Sequence, residues 1–494
     1  MVNRKSFIVS MGGVSVLGAL PVWAKGTSTK LDHKFLKGPG LDASMAILNL
    51  WGEAAPNKQK MLSLAFAYLN EAPDGSFSGL MQQPEFVALC RASGITHLGG
   101  PMLGGISETG ARVWIRTLRP SSVSVEINGM RFGPVSSTEE SDLTAVVVIT
   151  GLKPGKEYSY RVLIDDQPIR TDSSTTIRTV PVDHAATRIA FGSCWHRWGI
   201  GHPQMDVIRS RKPVAMLMIG DIALQDRLGH LGLQRHDVLL RDLAPRWQRF
   251  VSEIPGFASW DDHDYGANDL SGISPEFSVE DQANTRRVFT QSWVNPSYGS
   301  ESDSRGIFMR TRIGPADVIL TDNRTFRRAK NEKYAFLGEE QMAWLKEQLL
   351  DCKGPFIILS CGTMWTDFVS NGKDSWGAFD PQGREELFSF IEEQGIKGVL
   401  LISGDRHGAR GFTIPRKNGF KFYEFGAASL GGRRGPPATN PNWTTQLYGI
   451  MGRFAFSEFE FNTTLPDPEV TYRLLDEVGN PIYRLTLTRS QLTP

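Results

Sequence analysis

Apolar positions change their spacing along the chain, and each change predicts a different kind of structure. Between about 96 and 180, short runs alternate apolar with polar or β-branched residues: Ala111-Arg-Val-Trp-Ile-Arg116, Val123-Ser-Val-Glu-Ile127 and Thr144-Ala-Val-Val-Val-Ile149. A period of two bounded by turn residues predicts strands, here of a small β-sandwich over 96–182. From about 187 onward, apolar strands alternate with helical spacing, which predicts a layered α/β unit over 186–485. Its strands are expected at 188–191, 214–219, 257–260, 317–320, 355–359 and 398–402, and its helices at 237–254, 279–294, 338–350 and 384–394. Residues 25–95 are mixed, polar and loop-rich, with a helical patch at 58–69, and read as an N-terminal linker or wrap.

The first 24 residues carry a different pattern. Arg4-Lys5 precedes an uncharged apolar stretch from Phe7 to Leu20, and Val22 and Ala24 put small side chains where a signal peptidase reads. This is the pattern of an export signal cleaved near Ala24, and Arg-Lys-Ser-Phe-Ile is similar to a twin-arginine leader. Export machinery is then a partner, and the mature chain is expected in the periplasm or secreted, as a monomer.

Composition narrows the classes further. With 494 residues, 40% hydrophobic and 22% charged, the chain is neither disordered nor a polytopic membrane protein. A formal charge of +1 gives no general grip on nucleic acid. Four cysteines are too few for a disulfide scaffold. Cys352 and Cys361 flank an apolar run, and at about 3.3 Å per residue a strand between them holds them too far apart to pair.

The chemistry-bearing residues cluster where predicted strands end. Ile189-Ala-Phe runs into Gly192-Ser-Cys194, Leu217-Met-Ile into Gly220-Asp221, and Ala258-Ser-Trp260 into Asp261-Asp262-His263-Asp264 and on to Asn268. Val318-Ile-Leu-Thr ends in Asp322-Asn323-Arg324, and Leu400-Leu-Ile-Ser in Gly404-Asp405-Arg406-His407 with Arg410 beyond. Ligands of α/β sheets bind outside the carboxyl ends of strands. Carboxylates brought together there repel unless cations neutralise them, and carboxylate, imidazole and thiolate suit a metal pair of the kind that attacks phosphorus esters.

Taken in order, these segments resemble the PhoD-like alkaline phosphatases, over roughly residues 96–485. The resemblance implies a calcineurin-like α/β/β/α metallophosphoesterase sandwich preceded by a fibronectin-like β-sandwich. The turn-plus-tyrosine segment Gly151 to Val162 is itself similar to fibronectin type III domains. It implies an exported hydrolase of phosphate esters, small-molecule or lipid, in which two or more metal ions activate water. Cys194, Asp221, Asp405 and His407 are implied metal-site residues, and Asp262, His263 and Asn268 complete the site. Asp262 and Asn268 are taken as ligands and His263 as the acid to the leaving group. Arg324 and Arg410 are candidates to hold phosphate oxygens, and His196 and His202 are further candidates for substrate contact.

One departure matters. Relatives carry a tyrosine three residues after the GD aspartate, whose phenolate binds iron(III); here that residue is Leu224. The expected ions are therefore divalent calcium, manganese, iron or zinc. Tyr265 is a nearby phenol that could substitute. A second expectation follows from the same leucine: a catalytically weak protein that binds phosphate esters or a partner on the same fold.

Overall fold

A computed structural model of the chain describes residues 32–171, 175–300, 305–330, 332–368, 375–435 and 438–494. The expected leader, 1–24, lies outside them. The architecture is mixed α/β with several sheets.

Two large sheets carry the second half of the chain. In the first, strands Gly256–Ser259, Ala215–Ile219 and Thr187–Gly192 run parallel, followed by Ala455–Asn462, Glu469–Asp476 and Pro481–Thr488. In the second, Ala316–Leu320, Phe356–Ser360, Val399–Ser403 and Lys421–Gly426 are parallel neighbours, edged by antiparallel Met309–Ile313 on one side and by Ala409–Pro415 and Gln446–Ile450 on the other.

Alternation along each strand explains the layering. Leu217 and Ile219 of the first sheet share a core with Val318, Leu320, Ile358, Leu400 and Ile402 of the second. Phe356 meets Phe461, and Phe425 meets Tyr472, across the gap. The intervening residues point outward. Met216 and Met218 pack on Met205, Ile208, Trp247 and Phe250, whereas Ile357, Leu359 and Leu401 pack on Met342, Leu345, Leu387 and Phe388 of the covering helices. Near-continuous apolar strands are what a sheet buried on both faces requires.

A smaller β unit precedes these sheets. It pairs Gly99–Gly104, Ala111–Arg116 and Thr144–Ile149 in one sheet, and Met130–Ser137, Ser121–Ile127 and Glu157–Ile164 in another that ends at Gln167–Pro168, with Thr176–Arg178 beside Glu157–Ile164. The Lys153 N–H donates to Tyr158 Oη at 2.9 Å, a tyrosine-cornered turn. The unit is bolted to the α/β part: Tyr160 Oη donates to the Ser252 carbonyl, and Trp114 Nε1 to that of Gln291.

Two expectations need correction. Residues 33–92 are not loop-rich but carry five helices: His33–Leu36, Leu41–Leu50, Pro56–Glu71, Phe77–Leu80 and Pro84–Ala92. They gain their apolar partner from outside the segment, since Met61, Leu62, Ala65 and Leu69 pack on Val238, Leu239 and Leu243. The single helix expected over 237–254 is two, Leu231–Leu243 and Pro245–Val251. Pro245 has no N–H to continue the first and starts the second at its first turn. All four cysteines are free thiols. Among the described residues, no helix is long and apolar enough to cross a membrane.

Candidate metal centre

The parallel strands of both sheets deliver their C-terminal ends to one place. Gly220 is required there: its φ is +99°, and a Cβ would lie 2.4 Å from that of Asp261. Gly404 likewise lets the second sheet's turn approach Ser193 and Ile219 of the first.

Three overlapping groups of ligand atoms form at this junction. Cys194, His196, Asp221 and His407 make one; Asp221, Asp262 and His263 a second; Asp261, Asp262 and Asp405 a third, with the atoms of each group within 4.8 Å of one another. Asp221 joins the first group to the second, and Asp262 the second to the third. Every member of the first group sits in the left-handed region: Cys194 at φ +59°, His196 at +50°, Asp221 at +57° and His407 at +58°. Asp405 joins them at +60°. Such conformations cost of order 1–3 kcal/mol each and persist only where the surrounding structure imposes them. Here the backbone is clamped. Cys194 N–H donates to the Gly220 carbonyl and His196 N–H to that of Asp221, while Ser429 Oγ and Gly432 N–H both donate to the Cys194 carbonyl.

The carboxylates fall into two kinds. Asp264 is structural, accepting from the backbone N–H groups of Asp221, Ile222 and Asp261 and capping helix Asp262–Tyr265. Asp221 Oδ1, Asp261 Oδ2 and Asp262 Oδ1, by contrast, are buried with no hydrogen-bond partner. Burial pushes Asp221 well above the usual carboxylate range, and the neighbouring carboxylates add to this against the opposing His263. Asp261 rises to about 6, again through burial first, although Arg324 opposes it. Burial alone would lower His263, but Asp221 and the hydrogen-bonded Asp226 hold it up at about 10. Burial also raises the Cys194 thiol and depresses His407 to about 3. Orphaned anionic oxygens beside a neutral imidazole and a thiol are the donor set a cation satisfies, so the residues fit a metal.

Of the residues named from the sequence, Cys194, Asp221, Asp262, His263, Asp405 and His407 come together here. The others do not join the ligand groups. Asn268 is exposed, and its amide donates to Asp269 at 2.6 Å; it is the Asp269 backbone N–H that reaches Asp262. Arg324 is buried against Asp261, with Nε and Nη2 both 2.5 Å from Oδ1, so its charge serves a carboxylate rather than an incoming phosphate. Arg410 is 1% exposed and donates to the carbonyls of Gly408 and Arg406, shaping the turn that carries His407. His202 meets Trp51 and Phe454 edge-on instead. Tyr265 is no substitute phenolate: its hydroxyl donates to Gly272 O and accepts from Gln282 within an apolar core. Leu224 packs in the cluster that contains Trp198 and Leu239.

Sequence reasoning did not assign Asp261 or His196 to the ligand groups. The Asp261-Asp262 pair gave a signal for the first. His196 was singled out only for substrate, and it lies with Nε2 3.4 Å from His407 Nε2, its Nδ1 paired to Gln225.

Fold and cradle together describe a mixed α/β protein whose strand ends build a shared, anionic metal-binding site. Residues 233–471 match the PhoD-like phosphatase family; this stretch contains Asp262, His263, Asp405 and His407, with Cys194 and Asp221 preceding it. Residues 96–182 match a domain of unknown function, DUF7800. A solved structure of PhoD superposes with a TM-score of 0.60 at 15% identity, covering 78% of this chain and 92% of that one, so the fold is similar to PhoD. An uncharacterised predicted phosphoesterase of Streptococcus pneumoniae gives a TM-score of 0.25 at 12% identity, covering 62% of this chain and 99% of its own. A Thermus thermophilus protein, TT1561, gives 0.26 at 13%, covering 50% and 91%. No curated protein matches the chain.

Proposed function

We propose that the protein is an exported, metal-dependent phosphoester hydrolase acting on a small-molecule or lipid phosphate ester. In this reading the paired sheets form a calcineurin-like α/β/β/α sandwich and the preceding β unit is fibronectin-like. The observation that carries it is the overlap of the ligand groups through Asp221 and Asp262, with one carboxylate oxygen of each left unpartnered. A carboxylate shared between neighbouring groups is what two adjacent cations need.

Cys194, Asp221 and His407, with His196, would hold one ion, and Asp221, Asp262 and Asp405, with Asp261, another. Such ions supply Lewis-acid polarisation of the phosphate and a lowered pKa for water. The chain's own part is positioning and proton handling. Asp226 holds His263 Nδ1 at 2.6 Å, fixing the ring and leaving its other nitrogen to protonate a leaving oxygen. Arg324 keeps Asp261 in place beneath the site. Divalent ions are the expected occupants, since Leu224 supplies no phenolate and the holoprotein is then colourless.

Leu224 also supports a second reading, a weak or inactive binder of phosphate esters. Metal analysis with chromogenic phosphomonoester and phosphodiester assays separates the two. Hydrolysis that chelation abolishes and divalent ions restore is the expected result. Bound metal and bound phosphate without turnover favours the binder, and a strong visible absorption band overturns the divalent assignment.

A further inference from the structure

The helical segment at the start of the described chain reaches the rim of the metal centre. Helix His33–Leu36 is followed by Lys37, whose Nζ lies 3.9 Å from Asp226 Oδ2. Asp226 is the carboxylate that holds His263. The side chains of Lys37 and Asp226 are 33% and 29% exposed, so this pair opens to solvent where the ligand groups behind it are largely buried. His33, on the same helix, lies tilted with its ring 5.5 Å from that of Trp198, which stacks 4.7 Å from His196.

A second cation arrives from a distant segment. The turn that clamps Cys194 continues into Arg433, whose N–H donates to Ser429 Oγ at 3.0 Å and whose side chain is exposed. Arg433 follows Gly432, where an added Cβ would lie 2.4 Å from both the Cys194 carbonyl oxygen and His196 Cδ2, so its exposed side chain starts beside the first ligand group. At 3.9 Å the Lys37 ion pair is too long for a hydrogen bond, so its ammonium keeps donors to offer.

We propose that Lys37 and Arg433 bind an anionic group on the leaving alcohol of the substrate, so that preferred esters carry a second negative charge, a carboxylate or a further phosphate. The side is set by Lys37, which stands on the carboxylate that orients the acid to the leaving oxygen. This rests on the phosphoester-hydrolase reading.

Calorimetric titration of the holoprotein with uncleavable phosphonates tests it. The probes are (4-carboxybenzyl)phosphonate, its neutral methyl ester and (4-phosphonobenzyl)phosphonate. The anionic probes are expected to bind about tenfold more tightly than the ester, a difference near 1.4 kcal/mol. Lys37→Met and Arg433→Gln each remove most of that preference, and Lys37→Arg keeps it. The tighter anionic probe then names the recognised group. Equal affinity for charged and neutral probes, no binding of any probe, or a preference that survives Lys37→Met overturns the proposal. Binding preference with no turnover of any phosphoester refutes the hydrolase reading instead, and leaves the anion site standing.

Discussion

Asp237 and Asp221 are equally buried, each 1% exposed, yet their surroundings resolve that burial in opposite ways. Asp237, on helix Leu231–Leu243, takes Arg197 Nε at 2.7 Å and Arg227 Nε at 2.8 Å. Asp142 is treated alike: Arg235 donates at 2.7 Å, Arg116 lies 3.2 Å away, and the Phe77 N–H donates as well. Burial would raise Asp142, but the two guanidinium groups outweigh it and hold the carboxyl below its usual range. Asp221 has no guanidinium; one oxygen accepts only the Cys194 thiol at 3.5 Å and the other accepts nothing. Burial therefore distinguishes nothing by itself. The matched carboxylates fasten the wrap and the β unit to the α/β part, whereas the unmatched ones wait for a cation.

The comparison breaks most visibly at the matched side. Asp237→Ala strands two buried guanidinium groups, and removing one partner of such a cluster costs about 3–5 kcal/mol. Denaturant unfolding is expected to show that loss, with metal content per folded molecule unchanged. A variant of native stability would mean that Arg197 and Arg227 find other partners.

At the unmatched side the expected signs reverse. Asp221→Asn removes the ligand shared by two groups and is expected to lower kcat/KM about a hundredfold or more, together with bound metal. In chelator, however, the variant is expected to unfold no earlier than the native chain, because a neutral amide relieves the crowding of carboxylates. Full metal retention in Asp221→Asn would place the cations elsewhere.

Much of this contrast was legible in the sequence, and the missing part has physical causes. Apolar runs that end in Gly-Ser-Cys194, Gly-Asp221 and Ser-Gly-Asp405 announce parallel strands delivering ligands to one edge. Sequence cannot say which of four consecutive polar residues turns inward: Asp264 is spent on backbone N–H groups, while Asp261 reaches the ligand groups. His196 enters the first group through a left-handed φ that no spacing displays. Of the helices of 33–92 only the patch at 58–69, within Pro56–Glu71, was legible, because burial of the segment depends on a helix some 170 residues later, and tertiary packing rather than propensity stabilises such segments. Pairing of Ala455–Asn462 with Thr187–Gly192 is similarly non-local. Pro245, by contrast, was in plain view and marked the helix break.

The environment of His236 sharpens the comparison with a smaller effect. His236 stacks edge-on at 5.2 Å against Phe66 of the wrap, and burial depresses it to about 4. Unfolded, a histidine takes its proton near pH 6.5. Below that pH the unfolded chain holds more protons than the native one, so stability present above about 6.5 is lost as pH falls toward 4. His236→Phe is expected to recover about 2 kcal/mol of that acid loss, read from unfolding curves at pH 7 and pH 4. Identical pH dependence in native and variant chains would assign the acid sensitivity to other groups.

The smallest effect is expected at Asn268, and it tests how a motif is read. The resemblance to the PhoD-like phosphatases grouped Asn268 with the ligands. The structure gives that position to the backbone instead: the Asp269 N–H donates to Asp262 Oδ2 at 2.6 Å, closing the loop from 262 to 269 around the carboxylate. The Asn268 side chain points its amide at Asp269 Oδ2 and remains exposed. Replacing it removes one surface hydrogen bond, a contribution of about 0.5–1.5 kcal/mol at most, and no ligand. Asn268→Ala is therefore expected to keep full metal content and to hydrolyse within about twofold of the native chain. Its loop stays closed, because the bond that closes it is made by the main chain. Loss of one equivalent of metal in Asn268→Ala would instead show that the loop swings the amide inward when a cation binds.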